Sequence, residues 1–205
     1  MGKIISVVGN LGAGKTTFTR LLCAQGGFVP YWERPEERPF QTDIKTDIKR
    51  WALVNQMDFF LFRCGQEREA RQREAVAIFD GGFDQDFKVF TRHLVQQGHL
   101  LPSEFEVCER FYRFARELLP PPDLIIRIVV ELPTLLQRRA TRARKTIDRS
   151  FDAQEFSDLE GLLDTWLEGE AASPVMRFRF EREVRDHAGE IEELVGRIKD
   201  ILRSS

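Results

Sequence analysis

The stretch Gly9-Asn10-Leu11-Gly12-Ala13-Gly14-Lys15-Thr16 constrains this chain more than any other. Glycine stands at its first and sixth positions and Lys-Thr closes it, which is the spacing of a phosphate-binding loop. The flanks agree. Lys3 to Val8 is a short, mostly apolar run that reads as a strand, and Thr17 to Leu22 opens a helix with apolar residues at helical spacing. The loop therefore lies between a strand and a helix N-terminus, where free N–H groups and the helix dipole favour an anion. Its glycines allow the backbone to close on phosphate oxygens. Lys15 is expected to reach the outer phosphates, and the Thr16 hydroxyl to take one position on Mg²⁺.

The rest of the chain supplies strands and helices in alternation. Phe28 to Trp32 reads as a second strand, ending at Glu33, before Pro35 and Pro39 interrupt regular structure. From Asp43 to Ala75 the pattern predicts one long helix, open to interruption at Gly65, with an apolar first half and a charged, solvated second half. Ala75 to Phe79 is a buried-strand run ending at Asp80-Gly81-Gly82. A helix is expected over Asp84 to Gln97 and another from Ser103, as N-cap with Glu106 three residues on, to Leu118. After Pro120-Pro121-Pro122 come a fourth strand over Leu124 to Val130, a helix from Pro133 into a basic cluster, and a helix near Glu155 to Leu167. A fifth strand over Val175 to Phe180 and an amphipathic helix from Gly189 to Leu202 close the chain. This alternation predicts a single α/β domain: a five-stranded, mostly parallel sheet with helices on both faces. Ligands of such sheets bind beyond the carboxyl ends of the strands, where the phosphate loop, Glu33 and Asp80 converge. Asp80 can orient Mg²⁺ through water; an Asp before two glycines can also simply start a turn.

Composition excludes some classes. A formal charge of −2 over 205 residues argues against a dedicated nucleic-acid binder. No uninterrupted apolar run is long enough to span a bilayer, so no membrane association is expected. The three cysteines, Cys23, Cys64 and Cys108, are far apart and read as reduced thiols. With a start that leads straight into a strand, they suggest a cytoplasmic protein without a signal peptide. His93, His99 and His187 have no ligand-like spacing.

Several spacings together resemble the deoxynucleoside kinase family. Glu33-Arg34-Pro35-Glu36-Glu37-Arg38-Pro39-Phe40 stands where that family has a Glu-Pro-Val-x-x-Asn-Pro-Phe-like segment. Arg50-Trp51, Gln56 and Arg63 match an Arg-Trp followed by Gln and Arg. Asp80 and Asp86 match an acid at the end of the third strand and an Asp six residues on. Arg138-Arg139-Ala140-Thr141-Arg142-Ala143-Arg144 stands in the place of a basic lid, over about 138–148. The resemblance runs from Lys3 to about Leu162. It implies a P-loop kinase fold, ATP and Mg²⁺, and a deoxynucleoside acceptor. The donor would be held by the loop from Gly9 to Thr16, by Thr17 and by Arg138. Glu33 would be the general base for the 5′-hydroxyl, with Arg142 and Arg144 closing over the transferring phosphates. Gln56 would hydrogen-bond the base, Arg63 and Asp86 would form a charged pair beside it, and Trp51 and Phe90 would wall its pocket. Trp51 reads equally well as plain core. The Arg63 and Asp86 pair would favour a purine or cytosine over thymine. A homodimer built through the long helix follows by the same analogy.

Three positions depart from the family pattern. Its Arg after the strand-end acid is Gly81 here. Its sugar-binding Tyr falls on Lys45, and its sugar-binding Glu falls on Ile147, next to Asp148. Arg34 is expected to supply the charge missing at Gly81; otherwise the site is impaired and Gly81→Arg should rescue it. Two further readings remain open: a nucleoside monophosphate kinase of the thymidylate type, whose Asp-Arg-aromatic motif is absent, and a nucleotide-binding regulator that has lost catalysis.

Overall fold

The structure is a computed structural model that describes residues 1–141, 152–179 and 188–204. Five strands form one sheet: β1 (Lys3–Val8), β2 (Val29–Tyr31), β3 (Val76–Asp80), β4 (Leu124–Val129) and β5 (Val175–Arg179). Their order is β2-β3-β1-β4-β5, and every pairing is parallel. The chain leaves central β1 toward β2 on one side, and β3 sends it across β1 to β4 on the other. The carboxyl ends of β1 and β3 therefore flank the point where the connections diverge, and a crevice opens there.

Alternation along the central strand explains the layering. Ile5 and Val7 face one side, packing with Phe18 and Leu22 of α1 (Lys15–Gly26) and Ile191, Leu194 and Ile198 of α9 (Ala188–Ser204). Ile4 and Val8 face the other. Ile4 joins Tyr31, Phe79 and Ala70 of α3 (Ile48–Gln72), while Val8 joins Leu159, Leu163 and Trp166 around α8 (Ala153–Thr165). A strand buried on both faces needs apolar residues at nearly every position, as β1 has.

Several helix boundaries differ from the sequence pattern. The long helix is divided at Asp47, not at Gly65. A short α2 (Asp43–Thr46) ends there, and the Asp47 carboxylate accepts from the Arg50 N–H to cap α3. Gly65 lies inside α3 because one unfavourable residue does not outweigh the packing of Phe59, Phe60 and Arg63 around it. The expected helix over Asp84 to Gln97 is α4 (Phe83–Gln85), a wide π turn (Asp86–Thr91) and α5 (Arg92–Gln96). Next, α6 (Pro102–Leu118) starts one residue before Ser103. Pro102 takes the first helical position, and Glu104, not Glu106, accepts from the Leu101 N–H at 2.7 Å. The helix before the basic segment is α7 (Leu132–Thr141).

A buried ionic cluster locks α3, α4 and α6 together beneath the crevice. Arg116 grips Glu67 with two hydrogen bonds, at 2.7 and 3.0 Å, and donates to Asp84 at 2.8 Å. The Tyr112 hydroxyl donates to the same Asp84 oxygen at 2.6 Å. Arg116→Ala leaves buried Glu67 unpaired and Asp84 with only the Tyr112 hydroxyl, and the expected cost is about 3–5 kcal/mol in denaturant unfolding. Arg113→Ala, which removes only an exposed pair with Glu109, should cost less than about 1 kcal/mol. Equal losses would contradict this account.

Candidate active site

The phosphate loop leaves β1 at Gly9 and enters α1 at Lys15. Gly14, just before the helix, has φ 98°, a backbone conformation that side chains disfavour, and α1 has no side-chain cap. Internal hydrogen bonds shape the loop. The Lys15 ammonium donates to the carbonyls of Gly9 and Asn10 at 3.0 and 3.1 Å. Leu11 N–H donates to the Asn10 side chain, whose amide in turn donates to Phe156 O and Glu160. From the last described turn of side chains in α7, Arg138 donates to Ala13 O at 3.2 Å. Arg142, Arg144, Ile147 and Asp148 lie outside the described residues.

The strand ends bring acids to the loop. The Thr16 hydroxyl donates to Asp80 Oδ2 at 2.6 Å, while Asp80 Oδ1 is buried with no hydrogen-bond partner. A buried carboxylate oxygen without a donor, beside a hydroxyl, is a donor set suited to a hard divalent cation such as Mg²⁺. Glu33 follows β2. Its carboxyl is pushed above the usual glutamate range by burial; Arg63 and Lys15 oppose that, and Asp86 and Asp80 add to it. The Lys15 ammonium is pushed down by burial, against the pull of Asp80, Glu33 and Asp86. Glu33, Asp80 and Asp86 thus share one field with Lys15 and Arg63.

Arg63 is wholly buried in α3. It donates to Asp86 Oδ2 and to the Asp80 carbonyl, each at 3.0 Å, and to Gln66 at 3.3 Å. The π turn that begins at Asp86 brings the Thr91 hydroxyl within 2.8 Å of Asp86 O and 3.1 Å of the Gln56 side-chain amide. One hydroxyl hydrogen cannot serve both. Gln56 turned to donate to Thr91, while Thr91 donates to Asp86 O, satisfies both contacts. Trp51 stacks on Phe40 at 5.8 Å, an aromatic partner that spacing alone did not single out. Phe90 packs against the Leu159 and Trp166 cluster. Gln85 was also missed. It is 1% exposed and holds both backbone groups of Gly9, an arrangement with no motif to announce it.

The deoxynucleoside kinase family model matches residues 5–203. The chain belongs to the deoxynucleoside kinase family. Among its relatives, deoxyguanosine kinase from Bacillus subtilis is 29% identical over 162 residues, covering 76% of each chain. Deoxyadenosine/deoxycytidine kinase from the same organism is 22% identical and covers 98% of this chain and 94% of its own. In fold it is similar to the deoxyadenosine kinase from M. mycoides with products dCMP and a flexible dCDP bound. The TM-score is 0.80 at 20% identity, over 94% of this chain and 98% of that one. The same M. mycoides enzyme with bound dATP also gives 0.80. This deoxynucleoside kinase is a phosphotransferase with an α/β P-loop kinase fold.

The expected substitute for its missing arginine is corrected by the structure. Arg34 has φ 49°, is about half exposed and pairs with Glu37 at 3.4 Å, not with Glu33. A short turn through Pro35–Glu37 carries it away from the crevice. The cation acting most strongly on Glu33 is Arg63. Gly81 makes room for it: a Cβ there would stand 2.9 Å from Arg63 Nη2, and Gly81 has φ 82°. Lys45, at the second departure, is exposed on α2. Gly81→Arg should therefore lower turnover and melting temperature, because it evicts a guanidinium bonded to Asp86 and Asp80. A gain in turnover would restore the view that the site lacks a charge.

Proposed function

We propose that this kinase transfers the γ-phosphoryl group of ATP to the 5′-hydroxyl of a deoxynucleoside carrying a purine or cytosine base. The observation that carries the reading is the convergence of Glu33, Lys15, Arg63, Asp80 and Asp86 on one crevice. Glu33 takes the proton of the 5′-hydroxyl as that oxygen bonds to the γ-phosphorus and the bond to ADP breaks. Its raised pKa makes it a better proton acceptor near neutral pH than an ordinary glutamate. Lys15, held on the loop carbonyls, donates its remaining N–H to the outer phosphates. Thr16 and Asp80 would hold Mg²⁺, which neutralises phosphate charge when bound. Arg138, with Arg142 and Arg144, would form the lid. Trp51, Phe40 and Gln56 would line the base pocket, with Arg63 and Asp86 at its charged end. Support for the base preference comes from that buried ion pair and from relatives named for deoxyguanosine, deoxyadenosine and deoxycytidine. Three free thiols, each pushed up to about 11 by burial, suit a reducing cytoplasm.

A panel of nucleosides and monophosphates with labelled ATP tests this. Label should enter deoxyguanosine, deoxyadenosine or deoxycytidine in preference to thymidine. Monophosphates as the only acceptors, or ATP binding with no acceptor at all, would point to the other two readings. The pH profile tests the base. Glu33 must be deprotonated to accept, so kcat/KM should fall as pH drops through a midpoint above the ordinary value of 4.5. Glu33→Gln should cost roughly 10²–10⁴ in rate at neutral pH while sparing ATP affinity.

We further propose a homodimer. Leu61 on α3 and Val107, Phe114 and Leu118 on α6 are exposed large apolar side chains on helices that pack side by side. On α6 they recur at one-turn and two-turn spacing, a stripe that a second copy of the same face would cover. Phe114→Glu together with Leu118→Glu should convert a sedimenting dimer to a folded monomer; an unchanged mass would refute this face.

A further inference from the structure

Lys15 ties the first turn of the phosphate loop together. Its ammonium rests on the carbonyls of Gly9 and Asn10 and keeps a third N–H for an outer phosphate. Lys15 can present that N–H to a phosphate only if the two carbonyls it grips are themselves held in place. Each of these carbonyls has a second donor. At Asn10 O it is the backbone N–H of Ala13, at 3.2 Å. At Gly9 O it is the side-chain amide of Gln85, at 2.8 Å, from the end of α4 on the far side of β3. The Gln85 oxygen also accepts from the Gly9 N–H at 3.3 Å, so one side chain satisfies both backbone groups of the loop's first residue. Gln85 is itself 1% exposed, so water cannot replace it.

We propose that Gln85 is a positioning residue for the phosphate donor: it holds both backbone groups of Gly9 and so keeps the carbonyl that Lys15 grips, and Lys15 with it, in place for ATP. This rests on the reading of the loop as the ATP site. The residues on either side of Gln85 are anchored independently, Asp84 by Arg116 and Tyr112 and Asp86 by Arg63. A change at Gln85 therefore acts on the donor side and leaves the acceptor pocket in place.

The test compares Gln85→Met, of similar length but unable to hydrogen-bond, with Gln85→Glu. The glutamate keeps an acceptor for the Gly9 N–H but places a carboxylate against Gly9 O and offers Lys15 a further anchor. Lys15→Ala serves as the control. ATP affinity is measured by titration without nucleoside, and KM for ATP and for nucleoside are measured separately. Both Gln85 variants should weaken ATP roughly tenfold or more. KM for the nucleoside and kcat at saturating ATP should stay within about twofold, on the expectation that the two subsites are separate. A purely structural role would instead lower the melting temperature and leave the two KM values unchanged or raise them together, and either pattern overturns the proposal. If Gln85→Met does not fold, the isosteric Gln85→Glu carries the same comparison. ATP binding that is absent from the wild type, or undiminished in Lys15→Ala, would sink the loop reading and this inference with it. Lys15-dependent binding that both Gln85 variants leave intact would overturn the inference alone.

Discussion

Burial of charge in the crevice is the constraint on which this structure depends. Arg63 and Asp86 are buried and Lys15 and Glu33 half-buried at the carboxyl edge of the sheet, and burial is the leading influence on the pKa of each. Ions so placed are tolerable only as partners, because an isolated buried charge costs several kcal/mol even after relaxation (roughly, by continuum reasoning). The groups come from four separate elements: the start of α1, the end of β2, the middle of α3 and the π turn after α4. Holding them together fixes how these elements pack. The Arg116, Glu67 and Asp84 cluster below the crevice repeats the device, linking the same α3 and α4 to α6.

The same constraint shapes the surroundings of Gly81. The cation there does not come from the neighbouring residue in sequence. Arg63 reaches across from α3, bonds the carbonyl of Asp80 and fills the space that a side chain at Gly81 would need. Arg34, adjacent to Glu33 in the chain, is carried out to solvent by the turn that follows it. Proximity in sequence was a poor guide because a single φ of 49° decides the direction of the chain.

The loop is anchored from both sides by buried polar side chains. Gln85 holds Gly9 from the β3 side. Asn10 is tied to α8 through Phe156 O and Glu160, and Glu160 accepts from Arg127 of β4 at 2.5 Å. Asp164, one turn further along α8, takes the other arm of Arg127. A loop held in this way has less conformational freedom to lose when phosphate binds, which is the physical content of preorganisation.

The sequence by itself determined the phosphate loop, the five strands, the parallel α/β class and the arrival of Glu33 and Asp80 at one edge. These follow from short-range signals: glycine spacing, apolar runs of strand length, and alternation of strand and helix. Only the tertiary structure decided which ions neutralise one another, that Asp47 and not Gly65 divides the long helix, and that Pro102 sets the start of α6. It alone revealed Gln85 on Gly9 and Phe40 on Trp51. Periodicity reports which face of an element is apolar, but a buried glutamine or arginine is justified by a partner brought to it through the fold, from 76 residues away for Gln85 and Gly9.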